Sequence, residues 1–437
     1  MATQVLDEAV DRDRGLKREI GTIAFAATIV NGVIGGGIFA APAALSGSVG
    51  VWAPLALLAC GIAMGAIVLC CAEAGSRVPS SGGIYAYVEA AFGRGWGFVT
   101  GMVLWVSCVL AAAGVAAAFA DAIVALYPVG PPGVQRVLLL VGVMALIAGV
   151  NLRGAKLGAR FAAISSVIKL APLLLFIGVG LFFIDFDNLR PTTELDPGSL
   201  GRAMILSIFA FSGIETVLGA SGEVARPERT VPRALVLAMS IVLVLYVAIQ
   251  IVAQGLLGSA LSGSAEPLAQ AIGVASPALV PVIAIGAALS RGGWLFSDVI
   301  GAPRLLFAFS RDRLLPEFLG RVNGAQVPAR AILVHVVLAL ILALVGSFGS
   351  LVLLSGLFTV PIYLGACLAA LKLRRMDVRL TGSPYVVPGL ALAAGIGVAS
   401  MVALIALAQW IEVVGLAAAT ALSALIYWLR KGRSSRA

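Results

Sequence analysis

Apolar runs long enough to cross a bilayer recur twelve times along this chain. They lie at roughly 21–46, 51–72, 96–127, 134–150, 161–184, 201–222, 234–257, 277–309, 329–346, 350–371, 386–408 and 411–429. In hydrocarbon every backbone N–H and C=O must find its partner within the protein, which restricts spanning structures to helices and closed barrels. Barrel strands read as alternating segments of about 10 residues, whereas these runs are continuous. The expected fold is therefore an all-α polytopic membrane protein with twelve transmembrane helices. Charged residues make up 12% of the chain, about half the ~25% of a soluble domain. A surface facing water cannot be covered with so few, which excludes a soluble enzyme, a nucleic-acid-binding domain and a disordered chain.

The net charge of +9 follows the loops. With an even number of spans both termini share one side. That side collects Arg12, Arg14, Lys17 and Arg18, then Arg77 and Arg94, Arg153, Lys156 and Arg160, and Arg226, Arg229 and Arg233. Further along it collects Arg311, Arg313, Arg321 and Arg330, then Lys372, Arg374, Arg375 and Arg379, and finally Arg430, Lys431, Arg433 and Arg436. The opposite side holds Arg136, Arg190 and Arg202 beside an acidic stretch, Asp185, Asp187, Glu194 and Asp196. Cytoplasmic loops carry the excess of Lys and Arg, so both termini are expected in the cytoplasm and the protein in the cell (inner) membrane. Residues 1–20 read as a cytoplasmic tail without a cleavable signal peptide, 21–371 as a core, 372–429 as two further spans, and 430–437 as a second tail. The five cysteines all lie in or beside apolar runs and are expected to pack as small core residues. There is no His/Cys/Asp cluster, nucleophile motif or phosphate loop, so neither a cofactor nor a metal is expected, and an enzyme is a poor reading. A channel would show a ring of like residues or a re-entrant filter, and neither is present.

Two spans contain features a lipid-facing helix does not need. In the first, Gly35, Gly36 and Gly37 follow one another in mid-membrane, each costing a helix about 0.8–1 kcal/mol against alanine. Either small residues pack helices closely there, or the helix unwinds and aims free amides at the bilayer centre, where a half-helix end attracts an anionic group. In the sixth, Ser212 and Gly213 precede Glu215, a carboxylate deep in an apolar helix and hence a functional candidate. Interrupted helices five spans apart point to inverted repeats, here about 21–184 and 201–371, in a 5+5 arrangement with broken helices 1 and 6 and two extra C-terminal helices.

At these residues the chain resembles the amino acid–polyamine–organocation (APC) superfamily, whose members share the leucine-transporter-type fold. Gly35–Gly36–Gly37–Ile38–Phe39 is similar to the family's G-S-G-I-F break. Glu73, Pro79 to Tyr87 and Ala91–Phe92–Gly93 are similar to its loop between spans two and three. Phe211 to Glu215, with Glu223, Arg226 to Arg229 and Pro232–Arg233–Ala234, is similar to its sixth-span signature. Pro303–Arg304, Ser310–Arg311–Asp312 and Leu315–Pro316 resemble its end of span eight. The resemblance implies an amino acid permease with a central site. The substrate carboxylate would meet the amides of Gly36 and Gly37 beside Gly35. The α-ammonium would meet carbonyls near Val33, Phe209 and Ser212, with Phe209 and Trp294 as the aromatic border.

Further ionisable residues lie within the apolar runs. Lys169 either snorkels to the near end of span five or, desolvated, exchanges its proton. In relatives with a lysine at this place the ammonium stands in for sodium, which implies proton-coupled uptake with protons as the coupling ion. Exchange of amino acids or amines, or sodium coupling, is the alternative. Arg291 and Asp298 lie in span eight, too far apart along the axis for a direct pair. Arg291 is open to pairing with Glu215 or Asp298, to lining the pathway, or to meeting an acidic substrate; all three are candidate gate or pathway residues. His335, the only histidine, is expected to pack rather than relay protons.

Overall fold

The computed structural model describes residues 18–80, 82–154, 169–191, 194–380 and 382–434. Most of the N-terminal cluster, Ser81, Lys156, Arg160, the start of the fifth run and Arg436 lie outside the described residues.

The first run holds two helices rather than one. α1 (Thr22–Val33) and α2 (Ala41–Val49) are separated by an extended Gly35 and a 3-10 turn over Gly36–Phe39. Next come α3 (Ala53–Arg77), the short α4 (Ile84–Phe92), α5 (Arg94–Leu126), α6 (Pro132–Leu152) and α7 (Leu170–Gly180). The sixth run is α8 (Pro197–Phe211) and a one-turn α9 (Ile214–Val217), continued as 3-10 through Glu223. α10 (Pro227–Leu257) is followed by a loop helix, α11 (Pro267–Ala275), and by α12 (Val280–Gly301) and α13 (Pro303–Arg311). α14 (Ala329–Val345), α15 (Phe348–Arg375), α16 (Leu390–Leu407) and α17 (Trp410–Ser434) complete the chain. No strand occurs among the described residues. Nine helical segments there are long and apolar enough to cross a membrane, and three shorter apolar helices accompany them at 22–33, 170–183 and 329–345.

Local chemistry sets the ends of these helices. Pro132, Pro197, Pro227, Pro267 and Pro303 each occupy the first helical position, where the missing N–H costs nothing. Asp196 caps α8 by accepting from the Ser199 amide at 2.7 Å, and Ser347 and Ser350 form a reciprocal cap on α15. Pro303 begins a helix and Pro42 lies in the first turn of α2, while Pro361 lies inside α15.

The core is assembled from α3 packed along α10, α5 along α15, and α1 against α10. Large apolar side chains such as Phe182, Val345, Leu138 and Trp428 remain exposed on its outside, as a lipid-facing belt requires. All five cysteines are buried and free. At one end the chain preceding α1 is strapped to the end of span six. The Glu19 and Ile20 amides donate to the Glu223 carbonyl at 3.0 and 3.1 Å, and the Ala225 amide returns to the Ile20 carbonyl at 2.9 Å. α1 and the segment after α8 are thereby tied at their outer ends as well as crossing at their inner ones. A buried charge cluster closes the same bundle. Glu73 of α3, fully buried, pairs with Arg77 at 3.0 Å, with Arg374 of α15, and accepts from the Val387 amide at 2.9 Å.

Candidate functional site

The two breaks face each other. α1 ends because Ile34 and Gly35 leave helical geometry (Gly35 φ −90°, ψ −171°). α8 ends because Ser212 is extended (ψ 162°) and Gly213 takes φ 116°, which only glycine adopts readily. A Cβ on Gly213 would lie 2.6 Å from the Gly32 carbonyl oxygen. Glycine here therefore allows both the turn and the close approach.

A broken helix leaves orphan carbonyls at its C-terminal end, and their partners are side chains from other spans. The Asn31 carbonyl accepts from Lys169 Nζ at 2.5 Å. The Val33 carbonyl accepts from the Gly35 amide at 2.7 Å and from Tyr246 Oη of α10 at 3.0 Å. On the other break the Phe209 carbonyl accepts from the Ser212 amide at 3.2 Å and from Ser212 Oγ at 2.7 Å. Glu215 caps its own half-helix. One carboxylate oxygen accepts from the Gly213 amide at 2.9 Å and the other from Tyr363 Oη of α15 at 2.8 Å.

Of the residues expected to hold substrate, Val33, Gly35, Gly37, Phe209, Ser212 and Trp294 converge on one void, with Gly36 between two of them. That void is only about 20 Å³, room for about one water. Two rings fill the rest: a Cβ on Gly37 would meet Phe209 at 2.6 Å, and one on Gly35 would meet Trp294 at 2.6 Å. A second cavity of about 260 Å³ lies just beyond Trp294, on the side of α1 and the post-break segment. Lys169, Glu215 and Asp298 line it together with Asn31, Ser107 and Ser355, and it opens past the exposed Thr28 and Thr216. Cys108 also lines it. Ser107 of α5 is bonded to Ser355 and Thr359 of α15 at 3.1 and 3.0 Å.

Arg291 differs from its expected pairings. Its guanidinium, 1% exposed, meets Glu266 at the head of α11 at 2.6 Å rather than Glu215 or Asp298, and it does not line the larger cavity. Glu266 lies 25 residues upstream in a loop, so helical spacing could not have found it. Asp298 instead bonds to His335 Nε2 of α14 at 2.8 Å, both side chains almost wholly buried. The histidine expected only to pack thus carries a polar contact. Sequence reasoning also missed Tyr246 and Tyr363, which look like ordinary apolar-helix tyrosines until their hydroxyls are seen on the breaks.

Comparison with known proteins identifies the family. Residues 20–429 match the family described as Amino acid permease. The serine/threonine exchanger SteT of Bacillus subtilis (strain 168) is 30% identical over 83% of this chain and 85% of its own. The branched-chain amino acid permease BcaP of Lactococcus lactis subsp. cremoris (strain MG1363) is 26% identical over 84% of each chain. A methylthioribose transporter of Bacillus subtilis (strain 168) is 25% identical over 86% of this chain and 85% of its own. These relatives are membrane transporters rather than enzymes. With two broken helices crossing above a polar cavity and a family match along nearly all its length, the chain belongs to the amino acid permease family of the APC superfamily.

Proposed function

We propose that the protein is a secondary carrier that takes up small neutral amino acids across the cytoplasmic membrane by alternating access, with proton binding at Lys169 as the coupling step. Twelve spans, inverted repeats over about 21–184 and 201–371, and both termini in the cytoplasm complete the reading. The larger cavity then faces the cytoplasm. The single observation that carries the proposal is the Lys169 contact with the Asn31 carbonyl, two residues from the end of α1. A lysine that satisfies a broken helix when protonated, and releases it when not, links proton occupancy to the geometry of the break.

Substrate recognition follows from the same ends. The carboxylate goes to the amides of Gly36 and Gly37 once Phe209 and Trp294 swing clear. The α-ammonium goes to the carbonyls at the two breaks, near Val33, Phe209 and Ser212, and to Asn31 Oδ1, a buried acceptor with no hydrogen-bond partner among the described residues. Ser107 and Ser355 give the cavity small hydroxyl groups, suited to a short polar side chain. The similarity to a serine/threonine exchanger favours a second reading, exchange without net proton movement.

Purified protein in liposomes distinguishes them. With labelled L-serine outside, an imposed inward proton gradient should drive accumulation into empty vesicles, and Lys169→Met should abolish it. Accumulation that needs internal L-serine and ignores the gradient supports exchange. Gradient-driven uptake that survives in Lys169→Met removes the coupling role.

A further inference from the structure

We propose that Asp298 and His335 together hold a second proton, bound when the cavity closes and released when it opens. The inference rests on the transport reading above and concerns residues to which that reading gives no task.

The pair joins α12 to α14. His335 Nε2 and Asp298 Oδ2 are 2.8 Å apart, with 0% and 4% of their side chains exposed. The carboxylate also belongs to the cavity wall, and the imidazole lies behind it. His335 Nδ1 is buried and has no hydrogen-bond partner among the described residues. The ring can therefore take a proton on Nδ1 without giving up its bond to Asp298. A proton taken up at this contact is shared between the carboxylate and the imidazole, so it belongs to the pair.

The charges around the pair set when it is held. Cys108 on α5, Lys169 at the head of α7 and Glu215 after the span-six break share the cavity with Asp298. On the other packed elements the charges are engaged or lie near the ends of their elements. Arg291 on α12 is held by Glu266, and Arg136 of α6 is held by Asp121 of α5. Arg304 lies on α13 beyond the end of α12, Arg330 opens α14, and Glu317 lies in the turn after α13. With Lys169 as an ammonium on the Asn31 carbonyl, the cavity wall carries one positive group against two carboxylates. The deficit of one charge is screened while the cavity is wet. Once closure removes water the deficit becomes costly, and a proton on the Asp298–His335 pair cancels it. Closure and proton uptake are then linked, and linkage is reciprocal.

Because the chain contains one histidine, the imidazole can be followed without ambiguity. Full-length protein labelled with 15N-histidine, in lipid nanodiscs, should give one imidazole signal that responds to pH and changes again when L-serine is added. In liposomes, His335→Gln keeps a donor toward Asp298 but cannot titrate. It should lessen, without abolishing, the dependence of initial L-serine uptake on pH, the remainder belonging to Lys169, and Asp298→Asn should do the same. A signal that does not move with pH overturns the proposal, as does an unaltered pH profile in a folded His335→Gln variant. If wild-type protein moves no L-serine, the transport reading fails separately, and the imidazole titration with pH still decides for or against the pair.

Discussion

Replacing Gly213 with alanine would put a methyl group where the two broken spans cross. Its φ of 116° lies in a region that costs other residues about 1–2 kcal/mol. The new Cβ would also lie 2.6 Å from the Gly32 carbonyl oxygen and 2.9 Å from its carbon. Both are backbone atoms of α1, so no rotamer change relieves the clash, and overpacking of this kind adds about 1–3 kcal/mol. Together the effects come to about 2–5 kcal/mol. For 437 residues, an unfolding entropy of about 2.1 cal/mol/K per residue makes 1 kcal/mol worth about 1 °C, so the midpoint should fall by about 2–5 °C. The assay is thermal unfolding of purified protein in detergent, read from tryptophan fluorescence, beside L-serine flux in liposomes. Flux should fall further than stability, because the easiest relief is to move α1 away from span six. Gly65→Ala in α3, where a Cβ meets nothing within 4 Å, is the control: it should leave flux unchanged and not lower the midpoint, raising it by about 1 °C at most. A Gly213→Ala protein with wild-type midpoint and wild-type flux would refute the reasoning.

Other perturbations test separate contacts. Glu73→Ala leaves Arg77, 3% exposed, without its buried partner and should cost about 3–5 kcal/mol. Arg374→Ala, which removes a partner that is 31% exposed, should cost less, and the reverse order in unfolding midpoints would contradict the assignment. Arg291→Met should likewise cost about 3–5 kcal/mol by stranding Glu266, and adding Glu266→Gln should recover most of it; additive losses would show that the two do not interact. Tyr363→Phe removes the hydroxyl from Glu215 Oε2, a charged hydrogen bond worth about 1.5–3 kcal/mol, and an unchanged midpoint would exclude it. The Ser199 amide holds the Asp196 carboxyl below the usual carboxylate range. Its folded value lies under its unfolded one, so its contribution is complete above about pH 4 and disappears as pH falls through the lower folded value. Asp196→Asn keeps an acceptor but does not titrate, so acidification should lower its midpoint less than that of the wild type. Equal losses would count against the cap.

What could be read from the sequence depended on whether the signal was local. Three successive glycines and a Ser–Gly–x–Glu are short-range features, and both helices do stop within a residue or two of them. Lys169, Glu215 and Asp298 were legible as charges in apolar runs, and they share one cavity. Their partners were not legible. Glu266, Tyr246, Tyr363 and His335 reach the site from other elements, at separations up to 213 residues, and no periodicity records which hydroxyl will face which carbonyl. Arg291 shows the limit most plainly. Its burial was foreseeable from its run, but its partner belongs to a loop helix folded back against the core. The closed state of the glycine site was equally hidden, because it depends on rotamers of Phe209 and Trp294 rather than on their identity.

On the carrier reading, Cys108 is a built-in gauge of the transport cycle. It is the cysteine that lines the larger cavity, while Cys60, Cys70, Cys71 and Cys367 are sealed between helices at 0–1% exposure. A small thiol-reactive dye entering by the mouth at Thr28 and Thr216 meets a single sulfur. The rate at which the native sequence takes up such a dye therefore reports how often that mouth stands open.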